Sequence, residues 1–184
     1  MKKYFTILLF LCFSFAAGKN IGGITLPETL KSDGQNLSLN GCGIITKFFL
    51  KVYAIGIYLE AKSGDENAIL NADKPYTIRM HFLRSGISAD KINDAWKEGF
   101  EKATGGNTGQ IQKEIAQFKS YFNFEINENM IFQFEYKPGV GTKIYINDKL
   151  NGVIPGFAFK RALIGIWIGS DPRDKGVKKE LLGK

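Results

Sequence analysis

The chain has 184 residues and a formal net charge of +7, with 44% hydrophobic and 23% charged residues, the proportions of an ordinary globular domain and not of a disordered or collagen-like chain. Two cysteines exclude a disulfide framework, and a single histidine, His81, excludes a His-rich metal centre and leaves any Ser-His-Asp or Cys-His scheme only one base. At this length one hydrophobic core suffices to hold a domain.

The first residues read as a leader. Met1-Lys2-Lys3 is a positive start, Tyr4 to Phe15 is an uncharged apolar run, and Ser14, Ala16 and Ala17 are the small residues a signal peptidase requires. The run is too short to cross roughly 30 Å of hydrocarbon as a helix. Residues 1–17 are therefore expected to be a signal peptide and 18–184 one exported domain, periplasmic or secreted. Loss of Lys2 and Lys3 leaves a mature charge of +5, and Cys42 as the sole cysteine.

Along residues 21–46, short apolar pieces are broken by turn residues, Ser32-Asp33-Gly34 and Asn40-Gly41, and read as small strands. Phe48 to Leu59 is rich in aromatic and β-branched residues and predicts one long strand. Alternation places Phe48, Leu50, Val52, Ala54 and Tyr58 on one face and Phe49, Lys51, Tyr53, Ile55, Ile57 and Leu59 on the other. With both faces mostly apolar, this strand should be central and covered on both sides. Gly56 in its middle marks a bend or the close approach of another group.

A short helix is expected over Asp65 to Asn71, then a strand from Tyr76 to Leu83 with Tyr76, Ile78, Met80 and Phe82 on one face and Thr77, Arg79 and His81 on the other. Ser88 is an N-cap for a helix carrying Ile92, Trp96, Phe100 and Ala103 at helical spacing, ending at Gly105-Gly106. A second helix from about Thr108 aligns Ile111, Ile115, Phe118 and Phe122. Strands follow at Met130–Tyr136, Lys143–Ile146 and Lys149–Ile154, the last two joined by an Asn147-Asp148 hairpin turn. Pro155 can sit in the first turn of an almost wholly apolar, buried helix from Gly156 to Ile168, and a short basic helix, Val177 to Leu182, closes the chain. The order of elements makes the domain α+β.

Most familiar chemistry is absent. Gly41-Cys42-Gly43 opens a strand, not a helix, which argues against phosphate binding, and neither a Walker motif nor a Gly-x-Ser-x-Gly elbow occurs. Cys42 reads as a small core residue. His81, between Arg79 and Arg84, reads as a solvent-facing strand residue, and Lys175, Lys178, Lys179 and Lys184 as a solvated helix face and not a nucleic-acid contact. No cofactor, metal site or transmembrane anchor is expected, and nothing identifies a protein partner.

Two segments carry a resemblance. GCGIITKFFLKVYAIGIYLE at 41–60 resembles the glycine-rich turn and long strand near the start of chalcone isomerase-like proteins, and KLNGVIPGFAFKRALIGIWIGSDP at 149–172 resembles their C-terminal strand, buried helix and Gly-x-x-Pro end. The similarity extends over nearly all of the mature chain and is greatest to exported bacterial members. It implies an open-faced β-sandwich: a large antiparallel sheet backed by helices, a smaller set of strands on the other side, and a ligand cleft between helices and sheet. In the family's isomerases an arginine steadies a phenolate, and hydroxyl groups with water stabilise an enolate during ring closure of a chalcone. In its fatty-acid-binding members the same arginine and a tyrosine hold a carboxylate.

Carried over by position, Ile45 stands where the resemblance implies the arginine, Tyr53 can keep the tyrosine's role, Ala89 and Trp96 fall at or near the polar positions of the first long helix, and Ile166 or a neighbour replaces a hydroxyl residue on the last buried helix. An apolar cleft cannot stabilise phenolate and enolate charge, and loss of one preorganised donor typically costs 10²–10³ in rate. No catalytic residue is therefore assigned. The expected function is non-catalytic binding of a small amphiphile such as a fatty acid, with Ile45, Tyr53, Trp96 and Ile166 in the cleft and Lys51 or Arg79 receiving the carboxylate. Two alternatives stay open: an intramolecular lyase with an unfamiliar site, and a structural protein whose cleft is filled by its own side chains. A cavity beside Tyr53 would separate binding from self-filling.

Overall fold

The computed structural model describes residues 18–184; the leader reading at 1–17 lies outside the described residues. Strands β1 (Gly18–Ile21) and β2 (Ile24–Pro27) form a separate hairpin, while β3 (Thr29–Ser32), β4 (Gln35–Lys47), β5 (Leu50–Leu59), β6 (Tyr76–Phe82), β7 (Ile131–Lys137), β8 (Gly141–Ile146) and β9 (Lys149–Ile154) pair in sequence order as one seven-stranded antiparallel sheet. Helices α1 (Glu66–Asn71), α2 (Ala89–Ala103), α3 (Gln112–Ser120), α4 (Phe157–Ile168) and α5 (Lys175–Leu181) complete the described chain.

The period of two decides the layers. Tyr53, Ile55, Ile57 and Leu59 of β5 and Tyr76, Ile78, Met80 and Phe82 of β6 join the core shared with α2, α3 and α4. On the opposite face Tyr58 packs with Leu26, Leu37, Leu39 and Cys42 in a smaller core, under the first hairpin. The central strand is thus covered on both sides, as its two apolar faces require. Gly56 meets a close neighbour as expected: a β-carbon there would lie 3.0 Å from Leu39 and 3.2 Å from Leu26. Beneath the helices an aromatic cluster centres on Phe118, whose ring packs against Trp96, Phe100, Phe122, Phe134 and Phe159.

Three expectations are corrected. The strand expected from Phe48 begins at Leu50, because Phe48 and Phe49 form the two-residue turn of the β4–β5 hairpin with φ of 49° and 62°. Positive φ at both positions is the turn whose twist suits a hairpin, though it strains residues with a bulky side chain. The small strands expected before it stand as β2 and β3 with the turn at Asp33-Gly34, but the pieces on either side of Asn40-Gly41 merge into the thirteen-residue β4, with no turn there. Asn40 is held instead by distant groups, donating to Ser63 O (3.0 Å) and Leu181 O (2.7 Å) and accepting from Ser63 N (2.7 Å). Gly41 and Gly43 lie mid-strand under α5, where a β-carbon would collide with the Glu180 backbone or with Val177 and the Glu180 side chain. The third correction concerns the basic tail: Lys178 is not solvated, but donates to Gly169 O at 2.8 Å and pairs with Glu66.

Other elements shift only at their ends. The helix expected from Thr108 is a 3₁₀ turn, Gly109–Ile111, followed by α3; α4 starts at Phe157 after Gly156, whose φ is 99°. Ser88 caps α2, and Asn147-Asp148 turns β8 into β9 with both φ positive. The apolar α4 hides one cation. Lys160 is fully buried and its Nζ donates to Ile69 O, Leu70 O and Ala72 O at 2.9–3.1 Å, closing the C-terminal end of α1. Burial pushes this ammonium down to about 8, opposed by the charge of Asp73.

Candidate functional site

Between the β4–β5 hairpin, the inner face of β6, α2 and the end of α4 lies a cavity of about 450 Å³, within the roughly 300–1,000 Å³ usual for small-molecule sites. Its deep walls are apolar and buried: Ile45, Met80, Phe82, Ile92 and Ile166. Its rim is charged, with Lys47, Arg84, Lys91 and Lys102 against Glu98 and Asp174. A greasy interior under a mainly cationic mouth suits a molecule with an apolar body and an anionic head.

Backbone register places the polar groups. Ile45 of β4 pairs directly with Tyr53 of β5, and Tyr53 with Phe82 of β6, so these three side chains share the helix-facing side. Tyr53 is 4% exposed, and its hydroxyl accepts from the Trp167 indole N–H of α4 at 3.0 Å. That bond uses one lone pair and leaves the phenol proton available to an acceptor. Burial pushes the phenol up, while the charge of Arg173 and the indole bond pull it part of the way back. The hydroxyl is thus a neutral donor throughout the physiological range.

Arg173 is the cation that inspection of the sequence missed. It follows the Gly169-Ser170-Asp171-Pro172 end of α4, and its backbone N–H donates to Ile166 O at 2.9 Å, folding the loop back along the helix. Its side chain lines the same cavity as Tyr53, within a long 3.5 Å hydrogen bond of Ala95 O on α2. Among the described residues it makes no ion pair within 4 Å. Glu98 at the rim is held below its ordinary range chiefly by the Lys102 ammonium, 3.0 Å from its carboxylate, and to a smaller extent by the charge on Arg173. The only advance signal was position: an arginine in the short loop that leaves a buried helix.

Trp96 adds a third donor. It lines the cavity, is 3% exposed, and among the described residues no group accepts from its indole N–H. A buried donor without a partner costs about 1–3 kcal/mol and is uncommon enough in folded proteins to need a reason.

Of the residues singled out from sequence, Ile45, Tyr53, Trp96 and Ile166 line this cavity and Lys51 and Arg79 do not. Arg79 sits on β6 between the inward Ile78 and Met80, so parity turns it to the opposite face. There it bonds Gln133 and lies 3.7 Å from the Asp148 carboxylate. Lys51 is exposed near the hairpin tip. Ala89 is also absent from the walls. His81 is on the outer face, its Nε2 3.3 Å from Asn129 Oδ1. Cys42 is buried in the smaller core, where burial pushes its thiol up and away from reactivity. Among the described residues no cluster of His, Cys, Asp or Glu could hold a metal ion, and no helix is long and apolar enough to cross a membrane.

A family model described as chalcone isomerase-like matches residues 18–183. A curated relative, fatty-acid-binding protein 1 of Arabidopsis thaliana, is 22% identical over 189 aligned positions, covering 87% of this chain and 67% of the relative. A crystal structure of an Arabidopsis thaliana fatty-acid-binding protein superposes with a TM-score of 0.71 at 17% identity, over 90% of this chain and 95% of that one. The likeness confirms the sheet backed by helices.

Proposed function

The chain belongs to the chalcone isomerase-like family, and from that premise we propose that it is a non-catalytic binding protein for a fatty acid or similar amphiphile. One observation carries this reading: the cavity has an apolar interior and is lined by both Tyr53 and Arg173, whose charge acts on the Tyr53 phenol. The carboxylate accepts from the Arg173 guanidinium and the Tyr53 hydroxyl, and the alkyl chain lies against Ile45, Met80, Phe82 and Ile166. Arg173 supplies from the loop after α4 the charge that the resemblance places at the position of Ile45. The curated Arabidopsis relative, named for fatty-acid binding, supports the same ligand class.

Ring closure of a chalcone is not favoured. Trp96 and Ile166 stand at or near positions where the resemblance implies polar and hydroxyl groups, so among the lining residues Tyr53 is the one buried hydroxyl and a developing enolate meets no hydroxyl set. A self-filled cleft is not favoured either, because the aromatic cluster around Phe118 fills the space under α3 while the cavity lies at the Tyr53 end.

Export belongs to the proposal as well. It is supported by the Lys2-Lys3 start, the apolar run and the small residues at 14–17. A native protein whose amino terminus still carries Lys2 would contradict it.

Delipidated protein titrated with long-chain fatty acids should melt at a higher temperature. At about 100 times the dissociation constant the ligand adds roughly 2.7 kcal/mol. A methyl ester of the same chain should give a smaller shift, since it cannot take a full charge-assisted bond. Equal shifts from acid and ester, or none from either, would contradict carboxylate recognition.

A further inference from the structure

The tip of the β4–β5 hairpin finds no explanation among the described residues. Phe48 is 82% and Phe49 102% exposed, and the adjoining Leu50 is 52% exposed. Both phenylalanines hold positive φ, in a turn that Asn, Asp or Gly would occupy with less strain. The same chain uses Asn147-Asp148 for the equivalent β8–β9 turn. Neither backbone geometry nor packing therefore accounts for two aromatic rings aimed at solvent. An exposed cluster of this size is the informative kind of surface, unlike a solitary exposed leucine.

The charge around the tip is mainly positive. Lys47 lies 5.8 Å from the Phe48 ring centroid, and Lys51 is exposed on the following strand. Lys47, Arg84, Lys91 and Lys102 rim the cavity against only Glu98 and Asp174. Aromatic side chains projecting from a collar of lysines are suited to a membrane interface, where the rings enter the acyl boundary and the cations meet anionic headgroups. We propose that this hairpin tip docks on an anionic lipid bilayer. Lys47, Phe48 and Leu50 also line the cavity, so docking sets the mouth against the lipid and gives an amphiphile a path that avoids water. The docking stands on the hairpin alone; its purpose, loading or unloading the cavity, rests on the fatty-acid reading.

Phe49→Gly tests it. Phe49 is not on the cavity wall, and glycine relieves the positive φ, so the fold and the affinity for fatty acid in solution should be kept. Wild-type protein should co-sediment with phosphatidylglycerol-containing vesicles, weakly with pure phosphatidylcholine, and less in high salt. Phe49→Gly should bind the anionic vesicles roughly tenfold more weakly, and Lys51→Gln roughly fivefold more weakly. No binding by wild type, or equal binding by Phe49→Gly, would overturn the docking. Self-association in the absence of lipid, abolished by Phe49→Gly and unaccompanied by vesicle binding, would also overturn it and assign the tip to a second copy. Fatty-acid titration of the same delipidated samples without vesicles keeps the two readings apart. Vesicle binding without fatty-acid binding removes the cargo and leaves the docking; the reverse removes the docking and leaves the cargo.

Discussion

Arg173→Met is expected to weaken fatty-acid binding by roughly tenfold to a hundredfold while leaving the fold intact. The magnitude follows from the charge-assisted bonds lost, about 1.5–3 kcal/mol net. The cost to the folded protein is small because Arg173 makes no ion pair among the described residues and its one side-chain hydrogen bond, to Ala95 O, is 3.5 Å long. Methionine keeps most of the aliphatic stem that packs along α2. Tyr53→Phe should cost binding less, on the order of 1 kcal/mol, while the Trp167 indole, losing its acceptor with or without ligand, lowers the stability of the fold. The two effects should not add, since both donors meet one carboxylate. Calorimetric titration of the two single variants and the double variant checks both the sizes and the coupling. An Arg173→Met variant that binds like wild type would move the head group elsewhere.

Ile45→Arg is expected to raise fatty-acid affinity by roughly tenfold or more. The side chain at 45 faces the cavity directly opposite Tyr53 in the register, and side chains so paired start about 4.5–5.5 Å apart at their β-carbons. A guanidinium there can meet a carboxylate bidentately while Tyr53 and Arg173 hold the other lone pairs. Without ligand, the variant places a second cation near Arg173 in a partly dry site, so it should be less stable than wild type. Added fatty acid should recover more stability in the variant than in wild type. If the space beside Tyr53 closes in solution, the substitution buries an unpaired charge, costs several kcal/mol and brings no gain in binding. Melting curves with and without ligand distinguish these outcomes.

The sheet was legible because its pattern is local. Alternation along 50–59 and 76–82 assigned the inward residues of β5 and β6, and Gly56 betrayed the close approach of Leu39 and Leu26. The Phe48-Phe49 turn was hidden because two aromatic residues in a β-rich run carry no turn chemistry. The length of β4 was hidden for the opposite reason. Asn40-Gly41 has turn chemistry, yet its role is set by Ser63, Leu181 and α5, far away in sequence. Four cavity residues were reachable through the resemblance, but the cation was not. Arg79 carries the right charge, but alternation puts it on the face opposite Met80, while Phe82, paired with Tyr53, lies on the inner one. Arg173 comes from a loop whose path depends on a backbone bond to Ile166, which no local pattern encodes. Lys160 is equally hidden in the sequence, because one lysine barely disturbs an apolar helix and its three carbonyl partners lie about 90 residues earlier.

Carbon-13 NMR of a carboxyl-labelled long-chain fatty acid bound to the delipidated protein tests the carboxylate site most directly. One bound carboxyl resonance should saturate at one ligand per chain. Its titration should lie below the roughly 4.3 of an ordinary carboxylate side chain, because Arg173 favours the charged form, and should return toward that value in Arg173→Met. No saturable resonance, or a bound carboxyl that titrates alike in both proteins, would contradict a fatty-acid head group held by Tyr53 and Arg173.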